Sequence, residues 1–248
     1  MQQSLTVAYG HWLFKHRNWV FPVVSFALLF GLPPATGPVG PIPGIAVDIL
    51  GIAVVLAGAL LRTAVVGLAY IKRGGVNKKV YAANLVTSGL FSHCRNPLYV
   101  GNLLISAGLF IAHGNPVSML LAAGYFGYSY HAITMAEEGF LRLKFGAAYE
   151  RYCAHVNRWL FRLDGLGQTF ASMHFNWRRV IANEYMTTFT WNITLLSIFG
   201  YESAINNHWL KALPVLVCYL AFLLVALISI KHLKKRGVFK EAGTVTPV

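Results

Sequence analysis

The chain has 248 residues, of which 56% are hydrophobic and only 12% charged, a composition outside the range of soluble proteins. Its formal net charge of +13 does not imply a nucleic-acid partner, because the Lys and Arg residues stand at the ends of apolar runs rather than on a soluble face. Cys94, Cys153 and Cys218 lie far apart with no CxxC, which argues against a disulfide framework and against a zinc site. The expectation is an all-α, polytopic membrane helix bundle.

The N-terminal stretch MQQSLTVAYGHWLFKHRNWVF lacks a short apolar core followed by a small-residue cleavage site, so it reads as mature protein rather than a signal peptide. A first apolar run over 19–32 is short for a span, and 33–44, rich in Pro and Gly and without charge, reads as a loop. A second run over 45–71 is long enough to cross with tilt, and Lys72, Arg73, Lys78 and Lys79 follow it. Runs over 98–113 and 116–136, joined by His113-Gly114-Asn115-Pro116, predict an antiparallel helical hairpin.

Residues 137–163 change character. Phe140, Leu141, Phe145, Tyr149 and Tyr152 fall near one face, with Arg142, Lys144, Glu150 and Arg151 elsewhere, which predicts an amphipathic interfacial helix ended by 164–167. Two further spans are expected near 186–204 and 209–230, before a basic tail. With six spans and both termini cytoplasmic, the basic residues fall on the cytoplasmic side except Arg62, inside the second span, and Lys211. No internal repeat is detectable, which disfavours a transporter built from inverted halves.

Chemistry concentrates in 85–101, LVTSGLFSHCRNPLYVG, where a polar turn carrying Arg95 opens into an apolar helix. Pro97 starts that helix without wasting a donor, and the helix dipole favours an anion there. An interfacial loop with one arginine is the plainer reading of the same residues. The hairpin, however, returns the chain so that Glu137 and Glu138 reach the same membrane face as Arg95. Carboxylates at the hydrocarbon boundary need a partner, and the pair is either a structural lock or a binding site for a small zwitterionic or cationic molecule. For Arg62 the expected partner is Asp48 or a backbone carbonyl. His131 reads as a hydrogen-bonded core residue, and His93-Cys94 as neighbours that do not converge. The acceptor pattern Asn192-Ile193-Thr194 sits within a span and is discounted.

The order LVTSGLF, RNPLYVG, a hairpin, EExxLxxxFGxxYxxY and VNRW resembles the isoprenylcysteine carboxyl methyltransferase and phospholipid methyltransferase family of integral membrane enzymes, over residues 76–162. The resemblance implies S-adenosyl-L-methionine bound without a Rossmann fold, and the chain has only a lone Gly165-Leu166-Gly167 in place of GxGxxG. It places cofactor contacts on Ala83, Asn84, Leu85, Val86, Phe91, Asn96, Pro97, Leu98, Tyr99 and Glu137. Phe91 stands where the family more often has Tyr, and Asn96 where it often has His, so position 96 can hydrogen-bond but cannot titrate. Ile133 replaces the arginine that carboxyl methyltransferases place four residues ahead of the acidic pair.

The catalytic candidates are Arg95 and Glu138, the latter also a candidate base; Tyr149, Arg158 and Trp159 are candidates for the acceptor. No metal is implied. The expected division is 1–75 for N-terminal spans, 76–165 for the methyltransferase core and 166–248 for a C-terminal extension. A lipophilic or lipidated acceptor, membrane lipids as partners and no nucleic acid follow. Phospholipid N-methylation, small-thiol S-methylation, an NADPH-dependent sterol-type reductase and a non-catalytic lipid-binding protein are the alternatives.

Overall fold

The computed structural model describes residues 4–35, 44–68, 82 and 84–239. The described residues are helical, with no strand among them: α1 Leu5–Phe30, α2 Gly44–Leu68, α3 Pro97–His113, α4 Pro116–Phe145, α5 Ala147–His155, α6 Leu166–Ser172, α7 Trp177–Ile205 and α8 Trp209–Lys235, with a short 3-10 turn at Gly89–Ser92. The loop expected over 33–44 and the basic segment with Lys72, Arg73, Lys78 and Lys79 fall largely or wholly outside the described residues. Among the described residues, α2 and α8 are long and apolar enough to cross a membrane, and α3 is a shorter apolar helix.

Six long helices alternate in direction. Gly10 packs against the carbonyl of Ala132 while Ser118 Oγ donates to Leu28 O at 2.8 Å, so α1 runs antiparallel to α4. In α2 and α3, Gly51 meets Ala112 and Gly58 meets Gly101 and Ile105, which sets this pair antiparallel too. These glycines, with Gly108 against Val55, recur every seven residues on each helix and let the two backbones touch. Asn176 N donates to Gly67 O at 2.8 Å, so α7 begins where α2 ends. Lys234 Nζ donates to Ala182 O at 2.7 Å, so α8 returns along α7. The starts of α1, α3 and α7 and the ends of α2, α4 and α8 therefore share one end of the bundle.

Two expectations are corrected. The first helix begins at Leu5 rather than near residue 19, because Ser4 caps it through Val7 N, and it runs on to Phe30 with Pro22 inside it. The single amphipathic helix over 137–163 does not form. Instead α4 continues through Glu137 and Glu138 to Phe145, and Gly146 ends it with a positive φ of +50°, which glycine adopts without steric cost. After the short α5 the chain runs extended beside 93–96, with Arg95 N donating to Asn157 O at 2.9 Å and Arg162 N to His93 O at 3.0 Å.

Candidate active site

Being consecutive on one helix, Glu137 and Glu138 diverge. Glu138 turns inward, is 2% exposed, and receives three arginines. Arg158 donates from Nε to Oε1 at 2.9 Å and from Nη2 to Oε2 at 2.8 Å, a bidentate fork. Arg95 Nη1 adds a bond to Oε1 at 3.1 Å, and Arg142 Nη2 approaches Oε2 at 3.5 Å. Both carboxylate oxygens are thus saturated by charged donors. Arg95 also donates from Nη1 to Cys153 Sγ at 2.9 Å, yet its Nε is buried and finds no acceptor.

Glu137 faces α1 and α3. Its Oε1 accepts from Tyr99 Oη at 2.6 Å, and that hydroxyl accepts from Arg17 Nη1 at 2.8 Å. Arg17 rests over the Phe14 ring at 4.4 Å, and Tyr99 stands 5.3 Å from the Tyr130 ring. An arginine, a phenol and a carboxylate therefore line up across three helices at the mouth of the α3–α4 hairpin.

The loop that carries Arg95 is braced from behind. His93 is buried, with Nδ1 at 2.6 Å from Arg162 O and Nε2 at 2.8 Å from Thr169 Oγ1. Asn96 Nδ2 donates to Arg158 O at 3.1 Å, and Tyr152 Oη to Phe91 O at 2.7 Å. Burial pushes the Cys94 thiol up to about 11, although the Asn96 backbone and the Arg95 guanidinium pull it down. Burial likewise raises the Tyr149 and Tyr152 phenols above their ordinary range. His93 and Cys94 make separate contacts and form no nucleophilic pair.

Of the residues singled out from sequence, Arg95, Asn96, Tyr99, Glu137, Glu138, Tyr149 and Arg158 converge here. Pro97 opens α3, and Trp159 packs against the main apolar cluster. Phe91 and Leu98 pack instead on the Val65–Leu68–Leu90 cluster at the end of α2. Asn84 is exposed and Leu85 and Val86 are half-buried on the approach to the loop; Ala83 lies outside the described residues. Ile133 is a fully buried core residue.

Sequence reasoning missed Arg17, whose partner lies 82 positions away, and the partner of Arg62. Arg62 does not reach Asp48: Nε and Nη2 form a buried fork on Glu184 of α7, both at 2.9 Å, and Nη1 donates to Asn102 on α3. Asn192, discounted as a glycosylation site, is buried and hydrogen-bonded to Tyr219.

No curated protein matches the chain, and no solved structure does. Residues 47–148, which hold nearly all of α2 and the whole of α3 and α4, match the family model described as phospholipid methyltransferase. The matched stretch, less than half of the chain, includes the loop residue Arg95, Tyr99 of α3 and Glu137 and Glu138 of α4, and is similar to the family that the sequence motifs resemble.

Proposed function

We propose that the chain transfers a methyl group from S-adenosyl-L-methionine to a carboxylate on a lipophilic acceptor drawn from the bilayer, most like an isoprenylcysteine carboxyl O-methyltransferase. The observation that carries the reading is the saturation of Glu138 by Arg95, Arg142 and Arg158, with Arg95 Nε left buried and unsatisfied beside it. Both oxygens of Glu138 are occupied by guanidinium donors, so Glu138 acts as a positioning residue that fixes the arginines. A buried guanidinium N–H without an acceptor fits an incoming anion.

The residues present fit the cofactor. Glu137 spends Oε1 on Tyr99 and keeps Oε2 as an acceptor for an ammonium group or the field of a sulfonium. Asn84, Leu85 and Val86 offer an approach strip, and Pro97 the wall at the start of α3. When bound, the cofactor supplies an electrophilic methyl on a positively charged sulfur. The protein's part is to orient and to exclude water, since in-line displacement by a carboxylate requires no proton transfer. Arg95 orients the acceptor oxygen, Tyr99 fixes the Glu137 rotamer, and Tyr149 and Trp159 give aromatic walls. In this reading the six long helices cross the bilayer, with both termini and the site at the cytoplasmic face.

A phospholipid amine is the second reading, favoured by the description of the matched family. It needs a group to take the ammonium proton, and Glu137 Oε2 is the candidate. The test is transfer of tritiated methyl from the labelled cofactor into a membrane lipid extract, followed by mild base. Methyl esters release volatile methanol and N-methyl products do not. Base-stable label in the phospholipid fraction overturns the carboxylate reading, and no transfer to any fraction overturns both.

A further inference from the structure

Helices α7 and α8 lie outside the family match, and between them is a groove of about 210 Å³ lined by Ile181, Glu184, Tyr185, Leu223, Leu227 and Ile230, among others. The lining is almost wholly hydrocarbon. Glu184 is its acidic member, and both its oxygens are held by the Arg62 fork, so the wall presents no uncompensated charge to a ligand chain. Thr188 and Ala226 leave room along the middle of the groove.

The end nearest the site is cationic. On α8, Lys231 and Lys235 follow the lining residue Leu227 at successive four-residue steps, so they extend the same stripe past the apolar run. On α7, Arg178 precedes Ile181 and Tyr185 on their stripe. Lys234 bridges the two helices, donating to Ala182 O at 2.7 Å with its ammonium 5.1 Å from the Tyr185 ring, and closes the end of the groove. Arg178, Lys231 and Lys235 are exposed.

We infer that this groove and its cationic collar form a site for an anionic membrane phospholipid, one acyl chain in the groove and the phosphate against Arg178, Lys231 and Lys235. Charge complementarity selects the occupant: apolar walls take any lipid chain, whereas a collar of this sign discriminates for an anionic headgroup. Because Glu184 is tied through Arg62 to α2 and α3, the occupied site also steadies the bundle at the end that carries Arg95 and Glu138. The inference rests on α8 lying in the bilayer and not on the methyl-transfer reading.

The test is retention of phosphatidylglycerol against phosphatidylcholine by the full-length protein, purified from mixed vesicles and measured by native mass spectrometry. Inorganic phosphate at millimolar concentration serves as the competitor that lacks a chain. The expected result is at least about a fivefold preference for phosphatidylglycerol that phosphate does not displace. The Lys231→Glu/Lys235→Glu variant should abolish the preference. Ala226→Phe, which fills the groove and leaves the collar, should lower phosphatidylglycerol occupancy at least about fivefold, with the thermal unfolding midpoint reporting that the variant folds. Equal retention of both lipids by the native chain, displacement by phosphate alone, or full occupancy in a folded Ala226→Phe variant overturns the assignment.

Discussion

Replacing Glu138 by Ala removes the acceptor of three guanidinium groups at once, and the size of the effect follows from their burial. Arg158 is bidentate with its side chain 26% exposed, and Arg95 is 13% exposed. Arg142 is 41% exposed at 3.5 Å, so its share is screened to under about 1 kcal/mol. Breaking a buried pair by deleting one partner costs about 3–5 kcal/mol, and the partial exposure of Arg158 sets the expectation at the lower end, about 3 kcal/mol. For a chain of this size that corresponds to a fall of about 6–12 °C in the unfolding midpoint. Glu138→Gln keeps the shape and two polar atoms and should lose about half as much. The assay is thermal unfolding in detergent, in a Cys218→Ser background, read by a maleimide fluorophore that labels Cys94 and Cys153 as they open. A double-mutant cycle should give about 2–3 kcal/mol of coupling between Glu138 and Arg158, and under about 1 kcal/mol between Glu138 and Arg142. A midpoint within about 2 °C of the native protein for Glu138→Ala refutes the argument that this carboxylate organises the loop.

Further outcomes follow from packing and burial. Gly108→Ala puts a Cβ 2.5 Å from Val55 N, against backbone that cannot yield, and should cost about 1–3 kcal/mol. Gly127→Ala meets nothing within 4 Å and should be neutral or stabilising by up to about 1 kcal/mol, so similar midpoints for the two variants contradict the close α2–α3 contact. Arg62→Met or Glu184→Gln alone leaves a buried charge unpaired and should cost about 3 kcal/mol or more, whereas Arg62→Met/Glu184→Met should recover most of it, as measured by the same unfolding assay. The Cys94 thiol, fully buried and raised to about 11, should resist iodoacetamide at pH 8 and gain reactivity as pH climbs towards 11; half-reaction of Cys94 within minutes at pH 8, in a folded Cys153→Ser/Cys218→Ser variant, rules out that burial.

How much of this was legible in the sequence depends on where each interaction partner lies. Glu138 and Arg95 could be paired in advance because one short hairpin, with a left-handed Gly114 at its turn, returns the chain to the same level. Arg62 was recognisable as a buried charge needing a partner, but Glu184 stands 122 positions away on a helix whose first turns look polar, and local pattern cannot choose it over Asp48. Arg17 stands ahead of the apolar run over 19–32. With α1 extended back to Leu5 it becomes an interior residue that reaches Tyr99. The amphipathic pattern over 137–163 was real in composition, yet periodicity does not register a single φ of +50° at Gly146, nor the backbone bonds that hold 157–162 extended against 93–95. The seven-residue glycine spacing of α2 and α3 was present in the sequence and is the signal from which their close contact can be read.

In the proposed site the Glu137 side of the Arg95 loop holds S-adenosyl-L-methionine. That placement is tested most directly by calorimetric titration of the full-length protein in detergent with that molecule, its demethylated product and NADPH. S-adenosyl-L-methionine should bind, the product should compete and NADPH should not bind. Glu137→Ala, which removes the acceptor of the Tyr99 hydroxyl, should weaken binding at least about tenfold while the unfolding midpoint stays within a few degrees. Unchanged affinity in that variant contradicts the assignment of the site, binding of NADPH in place of S-adenosyl-L-methionine moves the chain to a reductase, and binding of neither leaves a lipid-binding protein.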